Sequence, residues 1–379
     1  MYFRLNPECY FIRGRRCGVI LDLIDEIMYL LNPEETEIVT SSENNCPITC
    51  NEEIFSELKR LRLGNFYYNK VYIQKLRIGS LSEEMEKGSP PQLNRAFLEI
   101  NNSCNRNCWF CGYNGISRSL GCMGCNKWKE DGEALTIRRW MQLIDELNCL
   151  ECRDVIITGG DLTLTWDRTA EILDYAKGKF ANIYVILHEQ SLSENIINNF
   201  ANKTKMIIQT ENVNNRSDIY STLLTVTPKK WEYIQDELYE HTLIDFVINN
   251  EHSLKDSLPI MSKEKILPID IYKLSNNVEY HPCLGHTLAI SYTGNVIPCP
   301  MMRDHCLGNI VDKGLYTIFR DGMNYIEKFW KLNLNKIETC TECEFRYVCS
   351  DCRALEERLT GNINGKLICS YNPEEGKWA

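Results

Sequence analysis

The stretch Ala96-Phe97-Leu98-Glu99-Ile100-Asn101-Asn102-Ser103-Cys104-Asn105-Arg106-Asn107-Cys108-Trp109-Phe110-Cys111 runs from a strand-forming sequence straight into three cysteines spaced C-x3-C-x2-C. The apolar residues up to Ile100 predict a strand, and the cysteines follow at its C-terminal end. Three thiolates round one loop offer three ligands, not four. A structural zinc site would need a fourth thiolate or a histidine close by. A cubane iron–sulfur cluster held by three cysteines leaves one iron free to bind a small molecule. Phe110, just before the last cysteine, completes the pattern C-x3-C-x-Φ-C.

Downstream, strand and helix alternate. Further strands are expected at 154–158, 183–187, 206–209, 223–226 and 244–248. Helices are expected over 135–149 and 168–180, from Ser193 as cap, and over 230–239. Uninterrupted apolar strands alternating with helices indicate an α/β fold with a parallel sheet covered by helices. Six such strands make a partial (β/α)6 barrel, whose active site lies at the strand C-terminal ends. Both the cysteine loop and Gly159-Gly160-Asp161 sit at such ends. Residues 212–221, between the fourth and fifth strands, are too few for a crossover helix.

Upstream, residues 10–13 and 18–21 read as a hairpin around Gly14, and Asn32-Pro33-Glu34-Glu35 as the start of a polar loop. A helix is expected over 51–63 with Asn51 as N-cap, then a β-rich run over 65–78. This makes a small α+β module, closed by a linker at 80–92 containing Gly88-Ser89-Pro90-Pro91. Beyond 276 the periodicity gives way to cysteines, glycines and short turns. The expected domains are therefore 1–92, 93–275 and 276–379.

With 379 residues, 44% hydrophobic and 25% charged, the chain is long enough for several folded domains and is not disordered in composition. It lacks a bilayer-length apolar run and a signal-peptide core, so a cytoplasmic protein with no membrane partner is expected. Nineteen cysteines in that setting argue for metal binding over disulfides. A net charge of −10 has the wrong sign for a nucleic-acid partner.

The cysteine loop, its strand context and the glycine pair resemble the radical SAM superfamily over roughly residues 95–250. The resemblance implies that Cys104, Cys108 and Cys111 hold a [4Fe–4S] cluster whose free iron binds S-adenosylmethionine (SAM). Reductive cleavage of SAM would then give a 5′-deoxyadenosyl radical that takes a hydrogen atom from the substrate. An external electron donor such as flavodoxin or ferredoxin is implied. Gly159, Gly160 and Asp161 resemble the family's Gly-Gly-Glu turn at the SAM ammonium, with Asp161 in place of the usual Glu. Glycines suit a main chain that must approach a ligand closely. His188, Glu189 and Gln209 are positional candidates at later strand ends.

A second group is Cys283, Gly294-Asn295-Val296-Ile297-Pro298-Cys299, then Cys340-x2-Cys343-x5-Cys349-x2-Cys352 and Cys369. It resembles the SPASM domain of radical SAM peptide-modifying enzymes, which holds two auxiliary [4Fe–4S] clusters. By position, Cys283, Cys299 and Cys352 would serve the first, its fourth site open or filled by Cys306. Cys340, Cys343, Cys349 and Cys369 would serve the second, for three clusters in all. The interval Cys349-x2-Cys352 is one residue shorter than the family's. Zinc knuckles are the competing reading of the Cys-x2-Cys pairs, but leave Cys283, Cys299 and Cys369 unexplained. Cys122 and Cys125 can bind metal or touch substrate. Cys9, Cys17, Cys46, Cys50, Cys149 and Cys152 are expected as small buried apolar residues, and Trp109, Trp128 and Trp140 as packing.

Together these point to a radical SAM/SPASM enzyme that modifies a ribosomally made precursor peptide, forming an oxidative cross-link such as a thioether. Such maturases often begin with a module that pairs a strand with the peptide leader, a role compatible with residues 1–92. Alternatives are a sulfatase-maturating, formylglycine-forming enzyme, a non-catalytic peptide-binding partner, and a zinc-binding regulatory protein.

Overall fold

The computed structural model describes residues 1–49, 52–78, 87, 92–111, 115–119, 125–201, 203–215, 217–234, 242–249, 261, 263 and 266–378. Cys50, Asn51, Cys122 and most of the expected linker lie outside them.

The N-terminal module opens with β1 (Tyr2–Leu5), β2 (Cys9–Arg13), β3 (Gly18–Asp22) and β4 (Ile27–Leu31). The hairpin expected around Gly14 is β2–β3, and β4 extends it to three antiparallel strands. Asn32-Pro33-Glu34-Glu35 does not begin a loop. It starts helix α1 (Pro33–Glu43): the Asn32 side chain accepts from Glu35 N, and the Glu35 side chain accepts from Asn32 N. This is a capping box with proline at the first helical position, where its missing N–H costs nothing. Helix α2 (Glu52–Arg60) and strand β5 (Gly64–Tyr67) follow, and β5 pairs with β1. The β-rich run expected over 65–78 forms a strand only to Tyr67.

The central sheet begins with β6 (Arg95–Asn101). After it come β7 (Gly115–Ser119), α3 (Ile137–Cys149), β8 (Asp154–Gly159), α4 (Trp166–Ala176), β9 (Asn182–His188), α5 (Glu194–Ala201), β10 (Lys205–Thr210), β11 (Ser221–Val226), α6 (Pro228–Ile234) and β12 (Thr242–Asn249). Strands β6, β8, β9, β10, β11 and β12 are parallel neighbours in that order. These are the six strands of the expected partial barrel. Among the described residues β10 and β11 are joined without a helix, as the short interval required. β7 pairs antiparallel with β12 at the sheet edge, which the sequence reading did not anticipate.

Side-chain alternation along these strands separates two layers. Phe97, Ile156, Ile186, Ile207 and Leu223 cluster on the inner face. Leu98, Val155, Ile157, Val185, Ile208 and Leu224 pack outward into the main core with the helices. In α3, Trp140, Leu143, Ile144 and Leu147 recur at helical spacing and are fully buried, each adding about 1.5–3 kcal/mol.

The third region contributes α7 (Ile271–Glu279), β13 (Thr287–Ile290), β14 (Asn295–Ile297), β15 (Gly308–Asn309), α8 (Leu315–Trp330) and, after a short helical turn, α9 (Arg353–Thr360). β13 pairs parallel with β6, and β14 and β15 continue the sheet, which has ten strands among the described residues. So the sheet runs across the boundary expected at 275/276. The N-terminal module touches this third region through its hairpin turn. Arg15 N donates to Glu342 O at 2.7 Å and Arg346 Nη1 to Arg13 O at 2.9 Å.

Candidate cofactor site and cysteine sets

β6 delivers its C-terminal end to the cysteine loop and ties it to the next strand end. Asn101 Oδ1 accepts from Gly160 N at 3.0 Å, while its Nδ2 donates to Asp161 O and Thr165 Oγ1. The Cys104 thiol accepts from Arg106 N at 3.4 Å, and the Cys111 thiol from Lys127 N at 3.3 Å. Burial, then the neighbouring Cys111 and Cys104 thiols, push the Cys108 thiol above its usual pKa, and the Arg106 charge opposes them. The three thiols thus lie close enough at one strand end for Cys104 and Cys111 to act on Cys108. Hydrogen bonds to cluster sulfurs are one of the means by which proteins set cluster potential.

The glycine turn packs directly on this loop. A Cβ at Gly160 would stand 2.3 Å from Ser103 O, and one at Gly159 would stand 2.4 Å from Asn101 O. Gly159 also has φ of +141°, which side chains rarely adopt. Asp161 N donates to Ser103 O at 2.7 Å. Its carboxylate binds Arg106 Nη1 at 2.7 Å and accepts from Thr163 N, Thr163 Oγ1 and Ser191 Oγ. Burial pushes this carboxyl up, but the Thr163 hydrogen bonds, the Arg106 charge and Ser191 outweigh it and hold it below the usual range.

Above the apolar inner layer lies a polar one, one inward position further along the strands: Glu99, Thr158, His188, Gln209, Thr225 and Asp245, all buried. His188 stacks on Phe110, and its Nδ1 accepts from Gln190 N at 3.2 Å. Burial and then the Arg106 charge lower its pKa. Gln209 donates to Thr225 and accepts from the Cys125 thiol at 3.0 Å. Cys125 lies near the cluster loop. Burial, then Cys108, Cys104 and Cys111, push its thiol well above the usual value. Glu189 points elsewhere, accepting from Thr210 and Asn215.

The C-terminal cysteines fall into two groups. Burial, then Cys283 and Cys352, push the Cys299 thiol up. Burial, then Asp351, Cys369, Cys343 and Cys340, do the same to Cys349, while Cys340 is pushed up to about 11 by burial first. Cys306 is exposed and donates to Gly308 O at 3.4 Å. Among the described residues, no three Cys, His, Asp or Glu groups converge as a single metal ion would require. A cluster, whose metal corners are separate atoms, asks for thiols that surround a volume instead of a point.

Residues without a motif brace these groups. Arg353 pairs with Asp351 and donates to the carbonyls of Ile363 and Gly365. Glu356 accepts from Leu367 N and Ile368 N, fixing the segment that carries Cys369. Arg303, four residues after Cys299, pairs with Glu99 on the barrel's inner face and lies 3.6 Å from Glu130. Burial raises the Glu99 pKa, opposed by Arg303. No spacing rule would have singled out these buried ions; only long-range pairing reveals them. Of the minor cysteines, Cys9 and Cys152 are buried as expected, but Cys46 and Cys149 are exposed and Cys17 is partly so. The expectation failed where the cysteine sits in a turn or on the outward side of α3. Trp140 and Trp128 are buried packing residues, and Trp109 Nε1 donates to Glu211 at 3.0 Å.

The chain is thus an α/β protein with a three-cysteine loop at the mouth of a partial barrel. Residues 98–223 match the Radical SAM superfamily, and residues 283–344 match SPASM, an iron–sulfur cluster-binding domain. The chain therefore carries a radical SAM domain followed by a SPASM domain. It is similar to the "AdoMet-dependent heme synthase" of Nitratidesulfovibrio vulgaris (strain Hildenborough), with 31% identity over 94 residues, 24% of this chain and 25% of that protein. It is also similar to the protein of the same name from Oleidesulfovibrio alaskensis (strain G20), with 29% identity over 117 residues, 30% of this chain and 29% of that protein. The chain thus matches less than a third of the length of these curated relatives. Among solved structures, Streptococcus suis SuiB is similar over 98% of this chain and 97% of that one, with 11% identity and a TM-score of 0.45. A structure titled anSMEcpe with bound AdoMet covers 70% of this chain and 90% of that one, with 14% identity and a TM-score of 0.45.

Proposed function

We propose that this chain is a radical SAM enzyme that modifies a ribosomally synthesised precursor peptide, joining two of its positions in an oxidative cross-link such as a thioether. The donor sets fit the cofactors this requires. Cys104, Cys108 and Cys111 would hold the SAM-binding [4Fe–4S] cluster. Cys283, Cys299 and Cys352 would hold one auxiliary cluster, and Cys340, Cys343, Cys349 and Cys369 another. With SAM and an outside electron donor such as flavodoxin or ferredoxin, the first cluster supplies hydrogen-atom abstraction from an unactivated carbon.

The protein's own part is placement. Gly159 and Gly160 leave no side chain between the turn and the loop, so main chain can approach a bound cofactor. Phe110, within the cysteine loop, and His188, at the end of β9, stack on one another. The apolar inner layer of Phe97, Ile156, Ile186, Ile207 and Leu223 packs beneath the polar layer. The polar layer offers hydrogen-bonding groups to a substrate.

One observation carries the peptide reading: β4 is an edge of the N-terminal sheet, with no further strand beside it among the described residues. Its Ile27 and Leu30 are exposed. An extended peptide pairs with such an edge through main-chain hydrogen bonds. A second reading, heme synthesis, is favoured by the name of the two curated relatives. The test is mass spectrometry of a short peptide encoded beside this protein, incubated with reconstituted enzyme, SAM and reductant. Loss of two hydrogen atoms from the peptide supports the proposal. An unchanged peptide together with SAM-dependent conversion of a heme precursor refutes it.

A further inference from the structure

We propose that Asp161 is a positioning residue: its carboxylate holds Arg106, and through Arg106 the cluster loop. This rests on the radical SAM reading above. An ionised carboxylate has about four lone-pair sites. Here four protein donors approach the carboxylate, three at Oδ1 and one at Oδ2. Oδ2 binds Arg106 Nη1 at 2.7 Å, and Oδ1 accepts from Thr163 N at 3.1 Å, Thr163 Oγ1 at 2.7 Å and Ser191 Oγ at 3.1 Å.

The donors come from three successive strand ends. Arg106 follows β6, Thr163 follows β8 and Ser191 follows β9. Asp161 therefore stitches together the mouth of the barrel where the cysteine loop emerges. The main chain fixes its origin, because Asp161 N donates to Ser103 O and Gly160 N donates to Asn101. A side chain one methylene shorter than glutamate, starting so close to the loop's base, is the right length to reach back to Arg106.

Arg106 is a well-placed handle. It lies between Cys104 and Cys108, and its own N–H donates to the Cys104 thiol at 3.4 Å. One residue thus touches a cluster ligand with its main chain and Asp161 with its side chain. Its charge also acts on Cys108, Cys125 and His188. Where Asp161 points that guanidinium fixes the local field around the thiols. A direct cofactor contact and a loop clamp therefore make different predictions in protein that holds no SAM.

The test uses the full chain with Asp161→Asn, Arg106→Met and the double variant. In cluster-free protein, hydrogen exchange across residues 104–111 should speed up by about tenfold or more in each single variant, the loss of one charge-assisted hydrogen bond. The double variant should be no faster than the faster single. After cluster reconstitution without SAM, both variants should alter the electron paramagnetic resonance spectrum of the reduced SAM-site cluster, which a residue that only contacts SAM would leave unchanged. Unchanged exchange and an unchanged SAM-free spectrum in Asp161→Asn, with SAM affinity nonetheless lowered, would overturn the clamp and return Asp161 to direct contact. Additive effects in the double variant would overturn it too. If the wild-type protein binds no SAM, the enzyme reading fails, and the exchange arm still decides the clamp.

Discussion

Replacing Gly160 by alanine is the sharpest single perturbation of the site. The added Cβ would stand 2.3 Å from Ser103 O, 2.8 Å from Ser103 C and 3.0 Å from Ser103 N. All three atoms are main chain, so no rotamer change relieves the contact. The carbonyl oxygen must retreat by about 1 Å to reach ordinary van der Waals distance. That moves the segment joining β6 to Cys104 and strains the Gly160 N and Asp161 N hydrogen bonds to Asn101 and Ser103. Overpacking of this kind costs about 1–3 kcal/mol, and the rigid neighbours put Gly160→Ala at the upper end. For a cooperative unit of barrel size, that lowers the apo-protein melting temperature by about 6–12 °C. Gly178→Ala is the control: φ is +76°, but nothing lies within 4 Å of its Cβ. It should cost about 1 kcal/mol, from backbone strain alone. The assay is thermal unfolding of both variants by circular dichroism, followed by iron determination after anaerobic reconstitution. Gly160→Ala should be the less stable and should lose the SAM-site cluster's iron. If both variants melt alike and Gly160→Ala takes up full iron, the close packing of turn on loop is wrong.

Three further outcomes are expected. Cys306→Ser should keep the full iron content, because the exposed Cys306 faces Gly308 O, whereas Cys349→Ala should lose one cluster's worth in the same iron assay. Arg303→Met strands the buried Glu99 beside Glu130 and should destabilise the fold by about 3–5 kcal/mol in urea unfolding, with Glu99→Gln in the same chain recovering most of the loss. Asp161 has a folded-state pKa below its unfolded value of about 4, so the stability it contributes is present above pH 4 and is lost as the pH falls through the lower folded value. Melting temperature measured from pH 6 down to pH 3 should therefore fall less steeply in Asp161→Asn than in the wild type, and equal slopes would remove Asp161 from that acid dependence.

The cysteine loop and the parallel strands were legible because their signals are local. Ala96-Phe97-Leu98 and Val155-Ile156-Ile157 are apolar on both faces, as buried parallel strands are, and the cysteine intervals need no tertiary knowledge to read. The missing crossover between β10 and β11 was legible as a shortage of residues. Helix α1 was not legible because Asn-Pro reads equally as a chain break and as an N-cap with a first-turn proline, and Glu35 decides between them by closing the box. β7 and β13 were missed for a different reason: edge pairing and sheet extension are long-range choices, and neither strand announces its partner. At the site, the cysteines and glycines could be named from spacing, but the Asp161–Arg106 pair and the Glu99–Arg303 pair could not. Their members are 55 and 204 residues apart in sequence.

The central claim is that three cysteines at the end of β6 serve SAM cleavage. Its most direct test is chromatographic measurement of 5′-deoxyadenosine from anaerobically reconstituted protein given SAM and a strong reductant. The account predicts release by the wild type and none from the Cys104→Ala/Cys108→Ala/Cys111→Ala variant. A wild type that takes up iron yet releases no 5′-deoxyadenosine, or a triple variant that releases as much as the wild type, would contradict it.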